Sequence, residues 1–227
     1  MSDMQILTGE SLDRATLLRL ADAGEPVTLT QCRLDGVDLS DLDLTGWRFD
    51  RCSLQHAQFN AARLEDATLL NCRAAGASFL GASLLDAVIE GGDYSNASFL
   101  GATLTDARVS GCKMTGADLT DVQAIGLTLR EVLLVMAILP RLSFRKAQLS
   151  GVDLSEADLR GCDFRDAVFE DCSLRDAHLP DCRFDGADLR GADLGGIRLT
   201  DARLFKGAVI SKRQAGELLG QLGLRVL

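Results

Sequence analysis

From Leu29 to Leu204 every fifth residue is apolar. These 36 positions hold 22 Leu, 8 Phe, and Ile89, Tyr94, Val109, Met114, Ala74 and Ala124. Two residues before each one, from Val27 to Ala202, runs a second apolar set: 18 Ala, 7 Cys, 5 Val, 3 Leu, Ile197, Trp47 and Gly92. The remaining three positions of every five are dominated by Asp, Arg, Ser, Thr and Gly. A period of five matches neither an amphipathic helix nor a flat strand. It matches a chain that makes one short side and one turn every five residues. One large and one small residue then point inward on each side, and three face water.

The phenylalanine spacing agrees with a coil of four such sides. Phe59, Phe79 and Phe99 are spaced by 20, as are Phe144, Phe164 and Phe184. With 20 residues to a coil, each trio forms one column of stacked rings. Four sides of five residues follow, and the repeats make nine coils. At about 4.8 Å between stacked strands the coils would rise about 43 Å. Each coil buries side chains only against its neighbours, so the ends need covers.

The lattice resembles the pentapeptide-repeat family pattern A-(D/N)-L-x-x, seen in Ala117-Asp118-Leu119, Ala157-Asp158-Leu159, Ala187-Asp188-Leu189 and Ala192-Asp193-Leu194. The resemblance implies an all-β solenoid, the right-handed quadrilateral β-helix, here with about nine coils and short N- and C-terminal helices. Three segments are expected: an N-terminal helical cap over 1–26, the β-helix over 27–206, and a capping and dimerisation tail over 207–227.

The covers have their own signals. Residues 11–23 read as a short helix ended by Gly24, with Leu12, Ala15, Leu18 and Leu20 available to sit over the first coil. Ser211 and Gln214 form a capping box. The helix after it carries Ala215, Leu218, Leu219 and Leu222 on one stripe and stops at Gly223. Leu224, Val226 and Leu227 alternate as in a strand.

One coil departs from the polar exterior. Leu133, Val135, Met136 and Ile138 occupy outward positions between Leu127 and Leu142. Either this coil carries an apolar partner patch, or Thr128-x-x-Glu131 caps a helix that ends before Pro140. The unbroken five-residue phase favours the coil.

Composition narrows the function. The chain has 227 residues, 47% hydrophobic and 25% charged, which is a folded composition. Aromatics are only 5%, so the core is aliphatic and small. A net charge of −9 disfavours direct binding to nucleic acid or to an anionic membrane. The N-terminus lacks the basic and apolar regions of a secretory leader, and the apolar run 132–139 is far short of a membrane span, so a cytoplasmic location is expected.

Candidate chemistry is sparse. All seven cysteines (32, 52, 72, 112, 162, 172 and 182) occupy the small inward slot, and the odd count excludes a complete disulfide framework. His56 and His178 fall at outward positions with no Ser or Cys nucleophile beside them. Gly91-Gly92 lacks a phosphate-loop context. No catalytic constellation, metal set or cofactor is expected, and the chain reads as a non-enzyme.

Acidity is uneven. Residues 1–113 carry 16 acidic and 9 basic side chains, and residues 114–227 carry 17 and 15. Between Ala74 and Ala107 stand Asp86, Glu90, Asp93 and Asp106 with no base, the candidate acidic partner surface.

The tail Ala208-Val209-Ile210-Ser211 … Gln214-Ala215 … Leu218-Leu219 … Leu222-Gly223 is similar to the C-terminal end of the Qnr quinolone-resistance proteins and their MfpA-like relatives. That resemblance implies a homodimer through Leu218, Leu219, Leu222 and Leu224. It also implies a type II topoisomerase partner, DNA gyrase or topoisomerase IV, engaged by an acidic DNA mimic. Plasmid-borne Qnr proteins interrupt the lattice with loops. Here the phase is unbroken, which is closer to MfpA. The alternative is a structural or regulatory scaffold that binds a protein through the apolar patch.

Overall fold

The computed structural model describes residues 5–225 as a parallel β-solenoid of about nine coils with two short α-helices. The chain divides into two compact units, Met1–Thr128 and Leu129–Leu227.

In the first unit, strands β1 (Gln5–Thr8), β2 (Val27–Thr30), β3 (Arg48–Asp50), β4 (Thr68–Leu70), β5 (Val88–Glu90) and β6 (Arg108–Ser110) line one side. Neighbours pair in parallel, with Leu29, Phe49, Leu69, Ile89 and Val109 in one register column. The step from β2 onward is 20 residues, which gives the four-sided coil. Isolated bridges hold the other sides, as in Arg33–Ser53–Arg73–Asp93–Lys113. The amides alternate direction: Leu34 N–H donates to the Ser53 carbonyl (2.7 Å) and Ser53 N–H to the Cys32 carbonyl (2.9 Å). Each coil therefore satisfies its neighbour's backbone, as a buried parallel sheet requires.

The second unit repeats this plan with β7 (Thr128–Arg130, starting at the boundary), β8 (Gln148–Ser150), β9 (Val168–Glu170), β10 (Cys172–Ser173) and β11 (Ala192–Asp193). β7–β8, β8–β9 and β10–β11 pair in parallel.

The interior follows the two inward positions. The i and i−2 residues are buried almost throughout, down to Phe59, Phe79, Phe99, Phe164 and Phe184 at full burial. Both phenylalanine columns stack face to face. Phe59, Phe79 and Phe99 lie 4.9 and 4.8 Å apart, and Phe144, Phe164 and Phe184 lie 5.1 and 5.0 Å apart. Phe205 extends the second column at 4.7 Å. Sharp corners explain the polar code: residue i+2 commonly sits in the left-handed region, as at Asp66 (φ 56°), Asp86 (56°) and Asp106 (55°). Asp, Asn and Gly tolerate that conformation best.

Gly92 has a different reason. Its φ is 93°, and a β-carbon there would stand 2.1 Å from the Cys72 carbonyl oxygen. It replaces the usual Ala or Cys because the backbone approaches too closely for either.

The N-terminal cover differs from expectation. Strand β1 precedes the helix and pairs with β2 at an offset of 22 residues, so residues 5–12 already build part of a coil. That offset breaks the period and hides the strand from a repeat search. The helix α1 is Arg14–Asp22, not 11–23, because the Asp13 carboxylate caps it through the Thr16 amide. Leu17 is its buried residue, with Leu12 beneath, whereas Leu18 is 41% exposed. Arg14 Nη1 and Nη2 donate to the Asp38 and Ser40 carbonyls, which lie at the edge of the first full coil.

At the other end the lattice stops short of Leu204. Residues Leu199–Phe205 form a 3₁₀ helix, and α2 follows over Lys212–Gly220. The capping box of Ser211 and Gln214 is present. Gln214 has a second duty that its place in the box conceals: its buried Nε2 donates to the Leu189 and Ala192 carbonyls, both at 2.7 Å. Gln221 Nε2 likewise reaches the Ile197 carbonyl. Long polar side chains thus satisfy edge carbonyls at both ends. Leu224 lies outside any strand, and Val226 and Leu227 lie outside the described residues.

Candidate interaction surfaces

The segment 127–142 is a coil. Thr128–Arg130 is strand β7, Leu133 bridges to Asp153 and Ile138 to Asp158, and no helix forms from Thr128 to Glu131. Leu129, Val132, Leu134, Ala137 and Leu139 are buried, so the inward code has priority over the local capping signal. Leu133, Met136 and Ile138 are exposed at 44%, 55% and 38%, and Val135 is half-buried. Met136 holds the corner at φ 57°. The four side chains therefore form one outward apolar patch that turns a corner.

The four candidate acids do not form one stripe. Asp86 and Asp106 share a corner column, Glu90 lies on the strand side, and Asp93 lies on the side after that. Asp93 is also committed elsewhere: it accepts from the Ser95 amide and hydroxyl and pairs with Lys113 at 3.4 Å. Partial burial works against its charge, and the Ser95 bonds and Lys113 outweigh it, so its pKa lies below the ordinary value.

The column that does form contains Asp66, Asp86 and Asp106. Their amides donate to the carbonyls of Leu85, Thr105 and Ile125 on the following coil, and all three side chains are exposed. Asp106 Oδ1 covers the bare corner at Gly126, 2.1 Å from where a β-carbon would stand. Among the described residues none of the three forms an ion pair. Asp66 escapes a search along the chain but falls out of a search by steps of 20.

The two units differ sharply in charge. Met1–Thr128 holds 18 acidic and 9 basic residues, and Leu129–Leu227 holds 15 of each. The second unit also neutralises its acids locally. Arg160 pairs with Asp158 at 2.7 Å, Arg190 with Asp188 at 2.6 Å, and Arg165 with Asp163. Each arginine's hydrogen bonds to the aspartate two residues before it hold that carboxyl below its ordinary pKa.

The C-terminal leucines divide between two tasks. Leu218 faces its own unit and helps line a 150 Å³ apolar cavity with Leu194, Ile197, Ala202, Phe205, Ala208 and Ile210. Leu219 is half-buried, while Leu222 and Leu224 are 61% and 54% exposed. Gln214 is the buried residue of α2, and Leu218, one turn on, is half-buried against the cavity, so the expected single stripe is split.

The chemistry-bearing side chains are placed as inward or outward lattice residues. All seven cysteines are buried and unpaired with one another. Burial pushes the thiols of Cys112, Cys162 and Cys182 up to about 12, which keeps them protonated and poor as nucleophiles or ligands at neutral pH. His56 and His178 are exposed. A cleft of about 410 Å³ contains His178, Asp176, Asp181, Arg198, Asp201 and Arg203, without a nucleophile beside the imidazole. Among the described residues no group of three or more His, Cys, Asp or Glu side chains can hold a metal. No helix among them is long and apolar enough to cross a membrane. The Tyr94 hydroxyl is a further core feature without a signal in the sequence. It is fully buried without a hydrogen-bond partner, and burial drives its pKa well above the ordinary value.

Comparison with known proteins agrees with this lattice. Models of pentapeptide repeats match residues 82–121 and residues 144–187. A trypsin-treated variant of QnrB1, a plasmid-mediated fluoroquinolone resistance protein, is similar in structure at 22% identity. The match covers 99% of this chain and 98% of that one, with a TM-score of 0.61. Full-length QnrB1 gives 20% identity, 97% and 98% coverage, and a TM-score of 0.55. HetL, a pentapeptide repeat protein involved in heterocyst differentiation regulation in the cyanobacterium Nostoc sp., matches at 23% identity over 82% of this chain and 86% of that one. Its TM-score is 0.36. No curated protein matches the chain in sequence.

Proposed function

Since this chain is a pentapeptide-repeat protein, we propose that it acts without catalysis, as a cytoplasmic protein that occupies the DNA-binding surface of a type II topoisomerase, DNA gyrase or topoisomerase IV. The observation that carries the reading is the unbalanced acidity of the first unit, with its column Asp66, Asp86 and Asp106. Carboxylates repeat there every coil, about 4.8 Å. Phosphates on one DNA strand advance about 3.4 Å each. The column thus resembles a short stretch of one strand's charge. A net −9 is far below that of a duplex of equal length, so the partner would read this edge and not an imitation of the full double helix.

The likeness to QnrB1 is one of fold, and it makes fluoroquinolone protection the first activity to measure. Binding at the DNA gate would either displace DNA or destabilise the drug–DNA–enzyme complex. Supercoiling by purified gyrase, titrated with this protein with and without a fluoroquinolone, tests the reading. Restored supercoiling in the presence of drug marks protection, and inhibition without rescue marks a DNA competitor. No effect in either arm, with folded protein, removes gyrase as the partner, and the same null result in decatenation by topoisomerase IV removes the topoisomerase reading.

Homodimerisation belongs to the same proposal, now centred on Leu219, Leu222 and Leu224 because Leu218 is spent on its own unit. Leu222→Asp should give a folded monomer in light scattering, and a persistent dimer would move the interface elsewhere.

A second reading has its own observation. The exposed patch Leu133, Val135, Met136 and Ile138 suits a structural or regulatory scaffold that binds a protein through apolar contact. Steep weakening by salt marks the acidic edge, and insensitivity to salt marks the patch.

A further inference from the structure

The border of the apolar patch defines the partner that fits it. On the next coil, Asp153 stands beside Leu133 and Asp158 beside Ile138 in register. Glu156 stands beside Met136, its amide donating to the Arg175 carbonyl one coil further on. Asp176 follows in the same column, where its carboxylate covers the corner at Gly196. Arg160 offsets Asp158 at 2.7 Å. Asp153 accepts hydrogen bonds from the Ser155 amide and hydroxyl, while Glu156 and Asp176 form no ion pair among the described residues. The patch is therefore apolar along one coil and acidic along the side facing the coil after it.

Such an arrangement repels an anionic lipid surface and rewards a cation placed next to an apolar stripe. Leu133 and Val135 project from one flat side, and Met136 adds a side chain that adapts to different contours. A five-residue side spans about 16 Å. About eleven residues of α-helix cover that length.

We propose that this face binds a basic amphipathic helix of a partner protein. The helix's apolar stripe would lie along Leu133, Val135 and Met136, and Lys or Arg side chains would flank it over Asp153, Glu156 and Asp176. The proposal rests only on the broader reading that outer faces of the solenoid bind proteins. It requires no topoisomerase, so its test can fail while the supercoiling result stands, and the reverse.

The test uses the full chain and two labelled helical peptides of equal length with the same leucine stripe. One is flanked by lysines and the other by glutamates. Fluorescence anisotropy should show binding of the lysine peptide at least tenfold tighter than the glutamate peptide. Met136→Asp and Leu133→Asp should each weaken the lysine peptide about tenfold or more. These positions face solvent, and a thermal melt checks folding; Met136→Gln is the milder second variant and should also weaken binding. Glu156→Lys should narrow the preference between the peptides severalfold. Equal affinity for both peptides, or affinity unmoved by the patch substitutions, overturns the proposal. Stronger attachment to anionic vesicles than to the lysine peptide would overturn it as well. So would a concentration-dependent self-association abolished by Leu133→Asp.

Discussion

The two units share one interior and differ in their exteriors. Each stacks phenylalanines at about 5 Å, and each fills the small inward slot with Ala or Cys. Each ends under a helix whose long polar side chains, Arg14 or Gln214 and Gln221, satisfy edge carbonyls. Yet the first unit carries all of the net charge and the second carries none. The second unit places Arg two residues after Asp, which folds each charge back onto the surface. The first unit leaves a column of aspartates open. A shared interior paired with divergent exteriors places the functional information on the outward three residues of each repeat.

The strongest way to break the comparison is to attack the interior in both units alike. Ala87→Lys in the first unit and Ala157→Lys in the second each put an ammonium into a fully buried slot. Each should cost several kcal/mol, measured by thermal or denaturant unfolding. An unchanged melting temperature in either would show that the slot in that unit is not closed.

A smaller effect sharpens it through one hydroxyl. Tyr94→Phe removes the unpartnered buried group of the first unit and should raise stability by about 1 kcal/mol. Phe164→Tyr places a similar hydroxyl in the second unit's stacked column and should lower it by about 1–3 kcal/mol. A destabilised Tyr94→Phe would mean that the hydroxyl has a partner.

The smallest effect concerns acid. Asp158, Asp163 and Asp188 have pKa values lowered by their arginines. Their contribution is present above the unfolded carboxylate value near 3.9 and disappears as pH falls through the lowered folded values. Arg160 and Arg190 are exposed and the Arg165–Asp163 pair is half-buried, so the loss of melting temperature below about pH 4 should be small and smaller still in about 1 M salt. Stability that rises on acidification would contradict the sign.

The inward half of the fold was legible because nine coils state the same two-position rule, and Phe59, Phe79 and Phe99 state the period of 20. The covers were only half legible, since they do not repeat. Strand β1 is displaced by 22 residues, and Gln214 looks like a capping-box residue until its amide is found on Leu189 and Ala192. The outer surface was least legible along the chain. Residues close in sequence, such as Glu90 and Asp93, turn onto different sides, while Asp66, Asp86 and Asp106 meet across 20-residue steps. Leu218 and Leu222 parted for a similar reason, because Gln214 fixes which face of α2 is buried.

The most direct measurement is competition between this protein and a DNA duplex for purified gyrase. It would use the native chain, Asp66→Lys/Asp86→Lys/Asp106→Lys, and a control with the same three reversals at Asp166, Asp181 and Asp185 of the second unit. The native chain should displace duplex, with an effect that weakens steeply with salt. The first-unit variant should lose at least tenfold in competition while the second-unit control loses little. Equal losses in both variants, or none in either, would contradict the claim that the acidic edge of the first unit is the working surface.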